Sequence, residues 1–537
     1  MDPASLDSDY WCHLKEDGAC PMPVTPEIDI SFMWPEKPEK AYVAPEPSDE
    51  TFNVLHVSDF HIETQYKIGS EANCSTYMCC TSHSSNELPL PEGQSPISGL
   101  NDQEIAGMNL FNSTWDDAYK KGDYVGYNES VWEPAYSFGQ YKCDSPELLI
   151  NSSLDSVAQF QKEKNLTFDF AIFTGDLVDH DESKFIGIEK ALLSEEIIFR
   201  DFKNRLSDIP LYPVLGNHDT FPYAQLAQRN SGFENFFEYN AELMAEMWED
   251  YEWIDFDTAQ YAKQHYTGFS VKTKRGLKII ALNSNAWYSA NFYNYWNTTN
   301  PDSYGQFQFL VDELTEAEAN DERVWIIWHI PLLNPDAMPI AGQVWKQIIE
   351  RFSPYTIAGM FNGHTHRDEF NVVYDATGSD SSAKTEDKVL NNVWISQAVT
   401  PIIENNPGWK YYEVDTKTFS IMNSFNYYTK LNETFYNNGE ATPVWEFEYS
   451  ARDAYGIDWP KSSPLNGTYW HRVSESIKNS RATLQTYEGY AKRLSPFVPD
   501  CLSTDDCQLD WCYVTSFTAD QLVNCMAAEN VTGSDYA

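Results

Sequence analysis

The sequence predicts a mixed α/β fold of layered sheets and helices, with a helical C-terminal subdomain. Short apolar runs typical of buried strands recur from residue 52 onward, and stretches with helical periodicity, such as 182–206, lie between several of them. Beyond about residue 430 the chain becomes aromatic and polar, with a helical candidate at 467–494. At 537 residues the chain exceeds what one core usually serves, so we expect a large main domain and an appendage.

Seven apolar runs are the predicted strands of the main domain. They are FNVLHV at 52, FDFAIF at 168, LYPVL at 211, LKIIAL at 277, VWIIW at 324, IAGMF at 357 and VWISQAV at 393. Ahead of them, residues 1–50 carry eight prolines, which favours an extended linker over a packed element. We therefore place the linker at 1–50, the main domain at 51–430 and the C-terminal subdomain at 431–537.

The composition excludes several classes of partner. The chain has 42% apolar residues, which is ample for a packed interior, and 36 basic against 81 acidic residues, a formal net charge of −45. Such a surface repels nucleic acids and anionic membranes at neutral pH, so we expect no nucleic-acid polymer as a partner. An acidic medium would reduce the charge, because carboxylates titrate near pH ~4.

The ten cysteines cluster at the two flanks of the chain, and none lies between 144 and 500. An even count without CxxC pairs is typical of disulfides formed in an oxidising compartment. We expect local pairing, including Cys12 with Cys20, although ten cysteines permit many connectivities.

Nine N-x-S/T sequons agree with passage through a secretory pathway. They start at Asn73, Asn112, Asn128, Asn151, Asn165, Asn297, Asn432, Asn466 and Asn530. The opening MDPASLDSDYW lacks the basic and apolar regions of a signal peptide, so we expect that a native signal or further domain was trimmed. The predicted location is secreted, extracellular or the acidic lumen of a vacuole or lysosome.

Side chains of the metal-binding type fall just past the ends of five predicted strands. They occur in S-D-F-H at 58–61, G-D-L-V-D-H at 175–180, G-N-H-D at 216–219, His329 after VWIIW, and G-H-T-H at 363–366. Strand ends are where open α/β sheets place their sites, because the loops there converge on one crevice.

Each motif alone also has a structural interpretation. A single D-x-H or H-x-H is usually a surface or capping feature, G-N-H-D is compatible with a tight turn in which Asp219 caps a helix, and His329 is compatible with a hydrogen-bonded core histidine. The five motifs together favour one joint site. Carboxylate, imidazole and amide groups suit two divalent metals about 3.5 to 4 Å apart, which can hold a hydroxide and clamp a phosphate. The sequence therefore predicts a water-driven attack on phosphorus.

The chain resembles the calcineurin-like metallophosphoesterases, whose motif set is the five segments just quoted. The resemblance implies two packed mixed β-sheets flanked by helices. The implied metal ligands are Asp59, His61 and His366 at the first ion, Asn217, His329 and His364 at the second, and Asp176 bridging both. His218 would be the leaving-group acid or a stabiliser of the transition state.

A narrower resemblance, to the acid sphingomyelinases, runs from about Thr51 to the C-terminus. It is carried by His180 four positions after Asp176, NCSTYMCC at 73, YKCDSP at 141, LNSN at 282, WHIP at 328, GHTHRDEF at 363 and NPGWKYYEVD at 406. It implies the disulfides Cys74–Cys79, Cys80–Cys143, Cys501–Cys507 and Cys512–Cys525. It also implies two Zn²⁺ ions and assistance of His218 by His180. The implied reaction is hydrolysis of sphingomyelin to ceramide and phosphocholine by a metal-bridging hydroxide.

The chain lacks the six-cysteine saposin-like domain of that family's founding member, and Cys12 and Cys20 are candidates for its remnant. Relatives without this domain act on soluble nucleotides, so the alternative is a secreted hydrolase of nucleotides or other phosphodiesters. A lipid- or glycan-binding module that lost the reaction is disfavoured, because the ligand set is complete. The aromatic stretch 286–296 is compatible with an apolar lip for acyl chains, a choline cage or simple packing. We expect a monomer that contacts a membrane or micelle surface transiently to reach a phospholipid substrate.

Overall fold

The computed structural model describes residues 4–16, 19–48, 50–75, 78–85, 133–229, 231–333, 337–375, 384–439 and 441–531. The strands are β1 (Thr51–Val57), β2 (Phe168–Phe173), β3 (Leu211–Pro213), β4 (Phe269–Lys272), β5 (Lys278–Ala281), β6 (Val324–Ile327), β7 (Ile357–Asn362), β8 (Glu369–Tyr374), β9 (Val389–Ile395), β10 (Gly408–Asp415), β11 (Ile421–Thr429) and β12 (Trp445–Ser450). The seven predicted apolar runs all coincide with strands.

The α-helices are α1 (Leu6–Lys15), α2 (Glu147–Lys164), α3 (Ile188–Arg205), α4 (Glu238–Asp250), α5 (Phe256–Gln264), α6 (Gln306–Ala319), α7 (Pro339–Phe352), α8 (Tyr436–Gly439), α9 (Ala451–Ala454), α10 (Gly467–Asn479), α11 (Arg481–Ala491), α12 (Asp510–Val514) and α13 (Ala519–Glu529). Among the helices so described, none is both long and apolar enough to cross a membrane.

The strands form two six-stranded mixed sheets, in the orders β12-β11-β10-β1-β2-β3 and β4-β5-β6-β7-β9-β8. Within them β1, β2 and β3 are parallel, as are β5, β6, β7 and β9. The sheets pack face to face through aromatic side chains: Phe170 lies 5.7 Å from Trp325, and Phe361 lies 5.3 Å from Tyr412, between ring centroids. This arrangement confirms the predicted layered α/β fold with a helical C-terminal region.

The N-terminal segment differs from the extended linker expected from its prolines. It begins with α1, where the Ser5 hydroxyl caps the helix by accepting a hydrogen bond from the backbone N–H of Ser8. The proline-containing part then runs along α7, where the side chains of Gln343 and Gln347 accept hydrogen bonds from the backbone of Ile28 and Ile30. Proline disfavours helix interiors and central strands because it has no backbone N–H, but the remaining backbone groups of the segment can still bind neighbouring side chains.

The C-terminal region contributes to the first sheet as well as to the helical layer. Strand β12 lies beyond the predicted boundary at residue 430 and pairs with β11. The single helical candidate at 467–494 is two helices, α10 and α11, because the Ser480 side chain accepts from the backbone N–H of Thr483 and caps the second one. Trp470 of α10 packs 4.2 Å from Phe370 of β8, between ring centroids.

Five disulfide bonds staple the two flanks of the chain. They join Cys12 to Cys20, Cys74 to Cys79, Cys80 to Cys143, Cys501 to Cys507, and Cys512 to Cys525. These are the pairs expected from local spacing and from the family resemblance. The predicted glycosylation sites Asn112 and Asn128 lie outside the described residues, and occupancy of the other seven sequons stays a prediction.

Candidate active site

The candidate metal ligands converge at one edge of the two packed sheets. Each follows directly on a strand: Asp59 and His61 on β1, Asp176 on β2, Asn217 on β3, His329 on β6, and His364 and His366 on β7. Strands β1, β2 and β3 are parallel to one another in the first sheet, and β6 and β7 are parallel in the second. The carboxyl ends of the strands in each sheet therefore meet at the same edge.

Five of the seven ligands have a backbone conformation that non-glycine residues rarely adopt. Their φ angles are +49° at Asp59, +41° at His61, +65° at Asp176, +76° at His364 and +58° at His366. Each such conformation costs of order 1–3 kcal/mol and persists only where the surroundings enforce it, which is typical of functional sites.

The glycines of the motifs permit close approach between loops. A Cβ atom on Gly216 would lie 2.0 Å from Asp176 Oδ1, and one on Gly363 would lie 2.2 Å from Ser58 Oγ and 2.6 Å from Asp59 Oδ2. Any side chain at these two positions would therefore displace a candidate ligand.

The ligands fall into two groups that share one aspartate. We call Asp59, His61, Asp176 and His366 the first group, and Asp176, His329 and His364, together with Asn217, the second group; in each, the carboxylate and imidazole ligand atoms lie within 4.8 Å of one another. The Asp176 Oδ2 atom is 3.3 Å from His61 Nε2 and 3.0 Å from His329 Nε2. One carboxylate oxygen therefore reaches both groups, as a bridging ligand must.

Hydrogen bonds fix which imidazole nitrogens face the site. His61 Nδ1 lies 2.7 Å from the Val178 carbonyl, and His329 Nδ1 lies 2.6 Å from that of Thr174. Since a carbonyl oxygen only accepts, both Nδ1 atoms carry a proton, and Nε2 is the atom of each ring that can bind a cation.

The residues fit a pair of divalent cations. Among the described residues, no hydrogen-bond partner reaches Asn217 Oδ1 or Asp59 Oδ2, although both atoms are buried. Buried oxygens normally have a partner, and a metal ion would supply it. His366 Nε2 lies 3.0 Å from His61 Nε2, so two imidazole nitrogens face one position.

The pKa values in the site indicate which ligands must lose a proton before a cation binds. Burial disfavours charge on Asp176, but the nearby His329, His218 and His61 hold its pKa well below the usual range. Burial, with the charge of His329, lowers the pKa of His364 to about 3, so His364 is a neutral imidazole. Burial opposes charge on His61, yet the Asp176 carboxylate raises its pKa to about 10. A proton on His61 therefore competes with the cation, and metal binding would release it.

Two further histidines border the groups. His218 donates a hydrogen bond from its backbone N–H to Asp176 Oδ1 (2.9 Å) and from Nδ1 to the Asp179 carbonyl (3.1 Å), which leaves its Nε2 free. The His180 ring lies 4.2 Å from that of His218, between centroids. Burial and the neighbouring His180 lower the pKa of His218 well below its usual value.

The chain matches the calcineurin-like phosphoesterase family over residues 52–368. The chain belongs to this family. The match covers every strand-end motif described above, and membership implies a two-metal site and an enzyme that hydrolyses phosphate esters.

The similarity to individual known proteins extends beyond the matched domain. Sphingomyelin phosphodiesterase B of Dictyostelium discoideum is 27% identical over 517 residues, covering 94% of this chain and 70% of that protein. Sphingomyelin phosphodiesterase 1 of Caenorhabditis elegans is 28% identical over 474 residues, covering 86% and 69%. Cyclic GMP-AMP phosphodiesterase SMPDL3A of Bos taurus is 32% identical over 339 residues, covering 60% and 69%. These relatives confirm the acid sphingomyelinase resemblance.

The phosphoesterase site contains an aspartate whose role the sequence did not reveal. The Asp219 carboxylate accepts hydrogen bonds from the backbone N–H groups of Gly216 (2.6 Å), Asp176 (2.8 Å) and Leu177 (2.6 Å). It therefore ties the loop after β3 to the loop after β2. Its place in G-N-H-D was a signal, but the helix-capping interpretation did not indicate that two of its three partners lie in the motif at 175–180.

A second unpredicted residue is Asp144, which lies in the YKCDSP segment. This fully buried carboxylate accepts from His180 Nδ1 at 3.0 Å and from the His180 backbone N–H at 2.7 Å. The contact orients the His180 ring, with Nε2 directed away from Asp144. The segment carried the family resemblance, but nothing local to it indicated a histidine partner 36 residues away.

A cavity of about 710 Å³ opens over His218 and four of the seven candidate ligands, namely Asp176, Asn217, His364 and His366. Its wall includes the apolar side chains of Ile186, Phe221 and Ile403 as well as the ring of Tyr223. The cavity thus combines a floor of metal ligands with a rim that carries both apolar side chains and the charged side chains of Asp181, Glu182 and Lys184.

The aromatic stretch 286–296 divides between interior and surface. Trp287 and Tyr295 are buried, whereas Phe292 and Trp296 are 57% and 52% exposed. Tyr288 is also buried, and its hydroxyl lies 3.1 Å from that of Tyr223 on the cavity wall. Packing therefore accounts for part of the stretch, and the exposed rings lie outside the residues that line the cavity.

Proposed function

We propose that this phosphoesterase hydrolyses sphingomyelin to ceramide and phosphocholine. The observation that carries the proposal is the similarity to two proteins named sphingomyelin phosphodiesterase, which extends over 94% and 86% of the chain. The similarity therefore includes the C-terminal region and not only the family domain. The complete set of ligand side chains at the strand ends agrees with a working enzyme rather than a binding module.

The first and second groups would hold two divalent ions, which we expect to be zinc because imidazole nitrogens predominate among the ligands. When bound, such a pair of ions lowers the pKa of water and draws negative charge from phosphate oxygens. The chain's own residues hold the reacting groups in place. Asp176 spans both groups, and the carbonyl of Asp179 holds His218 so that its Nε2 faces the cavity.

His218 is the proposed leaving-group acid. For a lipid diester the leaving group is the hydroxyl oxygen of ceramide, which needs a proton as its bond to phosphorus breaks. Burial and His180 favour the neutral ring of His218, so its Nε2 would take up that proton when the negative charge of the bound phosphate lies beside it. His180, oriented by Asp144, lies beside His218 and assists at the same oxygen. The apolar part of the rim, formed by Ile186, Phe221 and Ile403, suits the hydrocarbon chains next to that oxygen.

The second candidate is hydrolysis of a nucleotide or another soluble phosphodiester at the same site. It is favoured by the relative named cyclic GMP-AMP phosphodiesterase, although that similarity covers only 60% of this chain. The two candidates share the metal ligands and His218, so the substrate alone separates them.

We further propose a secreted or lysosomal setting. Five disulfides and nine sequons favour an oxidising secretory route, and the net charge of −45 favours an acidic medium in which part of that charge is lost. The enzyme would act as a monomer that contacts a membrane or micelle surface transiently.

The test is phosphocholine release from sphingomyelin in detergent micelles near pH 5 with zinc, beside a cyclic dinucleotide and a chelated control. We expect chelator-sensitive release of phosphocholine and little action on the dinucleotide; the opposite preference would replace the proposal with the second candidate. His218→Ala should lower turnover by roughly 10² to 10⁴ with zinc retained. The matched control is His265→Ala. The His265 ring stacks on Tyr261 and does not line the cavity, so this variant should have the turnover of wild type.

A further inference from the structure

An arginine from the C-terminal helical region lies directly behind the first group. Arg493 follows α11, is fully buried, and has a φ of +51°. Its Nη1 donates hydrogen bonds to the backbone carbonyl of His366 at 3.0 Å and to that of Ala491 at 3.1 Å, while its Nε donates to the carbonyl of Asn406. His366 lies 127 residues earlier in the chain.

Further hydrogen bonds join the segment around Arg493 to the loop that carries His366. The side chain of Asn405 donates a second hydrogen bond to the His366 carbonyl, at 3.2 Å, and the side chain of Asn406 donates to the carbonyl of Arg493 at 2.9 Å. The backbone N–H of Asp368 donates to the carbonyl of Ala491 at 3.1 Å. The end of α11 and the loop of the first group are therefore joined by their backbones.

Burying a guanidinium group is energetically unfavourable unless hydrogen-bond partners replace the water that its N–H groups lose. Burial lowers the pKa of Arg493 to about 10, and the carboxylates of Glu448 and Asp368 oppose that effect. The partners that Arg493 finds are carbonyl oxygens, which define the position of a backbone rather than neutralise a charge. The backbone it defines includes His366, whose φ of +58° must be enforced by its surroundings.

We propose that Arg493 is a positioning residue for the metal centre: it fixes the backbone of His366, and its loss weakens the ion held by the first group more than the ion held by the second. The C-terminal region is then part of the metal centre and not a separate appendage. The inference rests on the two-metal site of the proposed function and is independent of which diester is cleaved.

The test compares two buried arginines that both donate to backbone carbonyls. Arg323 precedes β6, at the opposite end of that strand from His329, and its side chain donates to the carbonyls of Thr418 (2.9 Å) and Pro354 (2.8 Å). We would replace Arg493 and Arg323 each by Lys and by Met. Bound zinc per chain would be measured by mass spectrometry of the metal after dialysis against increasing chelator.

We expect the Arg493→Lys and Arg493→Met variants to lose one of the two zinc ions at a free chelator concentration at least about tenfold lower than the one at which wild type loses it. Removal of a group that orients a metal ligand typically weakens metal binding by this factor or more. The Arg323 variants should release both ions as wild type does, even if their thermal unfolding is shifted. Zinc retention by the Arg493 variants equal to wild type would overturn the inference. Equal zinc loss from the Arg323 variants would also overturn it, because general destabilisation would then explain the effect.

If Arg493→Met does not fold, Arg493→Lys, which keeps the charge but has a single donor nitrogen, carries the comparison. The inference and the proposed function fail separately. Wild-type protein that binds two zinc ions and does not cleave sphingomyelin would refute the function alone. Unchanged zinc binding in the Arg493 variants of an active sphingomyelinase would refute only the positioning role.

Discussion

Replacement of Asp219 by Ala should destabilise this phosphoesterase far more than loss of an ordinary helix cap. Asp219 is fully buried and accepts three short backbone hydrogen bonds, from Gly216, Asp176 and Leu177. Each buried N–H left without an acceptor costs roughly 1–3 kcal/mol, so the three together cost about 3–9 kcal/mol. This is comparable with the whole free energy of unfolding of a domain, about 5–15 kcal/mol.

The matched control is Asp255→Ala, because Asp255 is an exposed aspartate that caps α5 by accepting from the backbone N–H of Thr258 at 2.9 Å. Its loss should cost about 1 kcal/mol. Urea unfolding of wild type and of both variants, with chelator present so that metal loss does not contribute, gives the free energies. A free energy of unfolding for Asp219→Ala within about 1 kcal/mol of the value for Asp255→Ala would refute the reasoning.

Three further variants test the site and its supports. Gly363→Ala should lower zinc content and turnover at least about tenfold, because the added Cβ collides with two neighbouring side chains, whereas Gly187→Ala, whose Cβ would meet open space, should behave as wild type in both assays. Asn217→Ala should retain one of the two zinc ions by metal analysis; retention of both would exclude Asn217 as a ligand. The double variant Cys80→Ser with Cys143→Ser removes a disulfide whose cysteines are 63 residues apart in the sequence. It should lower the free energy of unfolding, measured in urea, by about 4 kcal/mol. Removal of the Cys501–Cys507 disulfide, whose cysteines are only 6 residues apart, is expected to cost ~2 kcal/mol. A decrease in the free energy of unfolding below that value for the Cys80/Cys143 variant would contradict the expectation that longer closed loops stabilise more.

The sequence alone predicted seven of the twelve strands in the described part of the chain, and it predicted the candidate ligands. A strand buried on both faces is a local run of apolar residues, so β1, β2 and β7 could be predicted without knowing their neighbours. The ligands follow these strands within a few residues, and parallel strands bring their carboxyl ends together whatever their order in the sheet. The motif pattern therefore predicted which side chains converge at the metal groups.

The tertiary structure decided the supports of those ligands. Asp219 serves the loop after β2, Asp144 orients His180, and Arg493 holds the carbonyl of His366 across 127 residues. It also decided that β12 joins the first sheet and that the N-terminal segment packs along α7. These features depend on hydrogen bonds to backbone atoms of distant segments. Every residue carries the same backbone donor and acceptor, so no sequence pattern marks which one a buried side chain will meet.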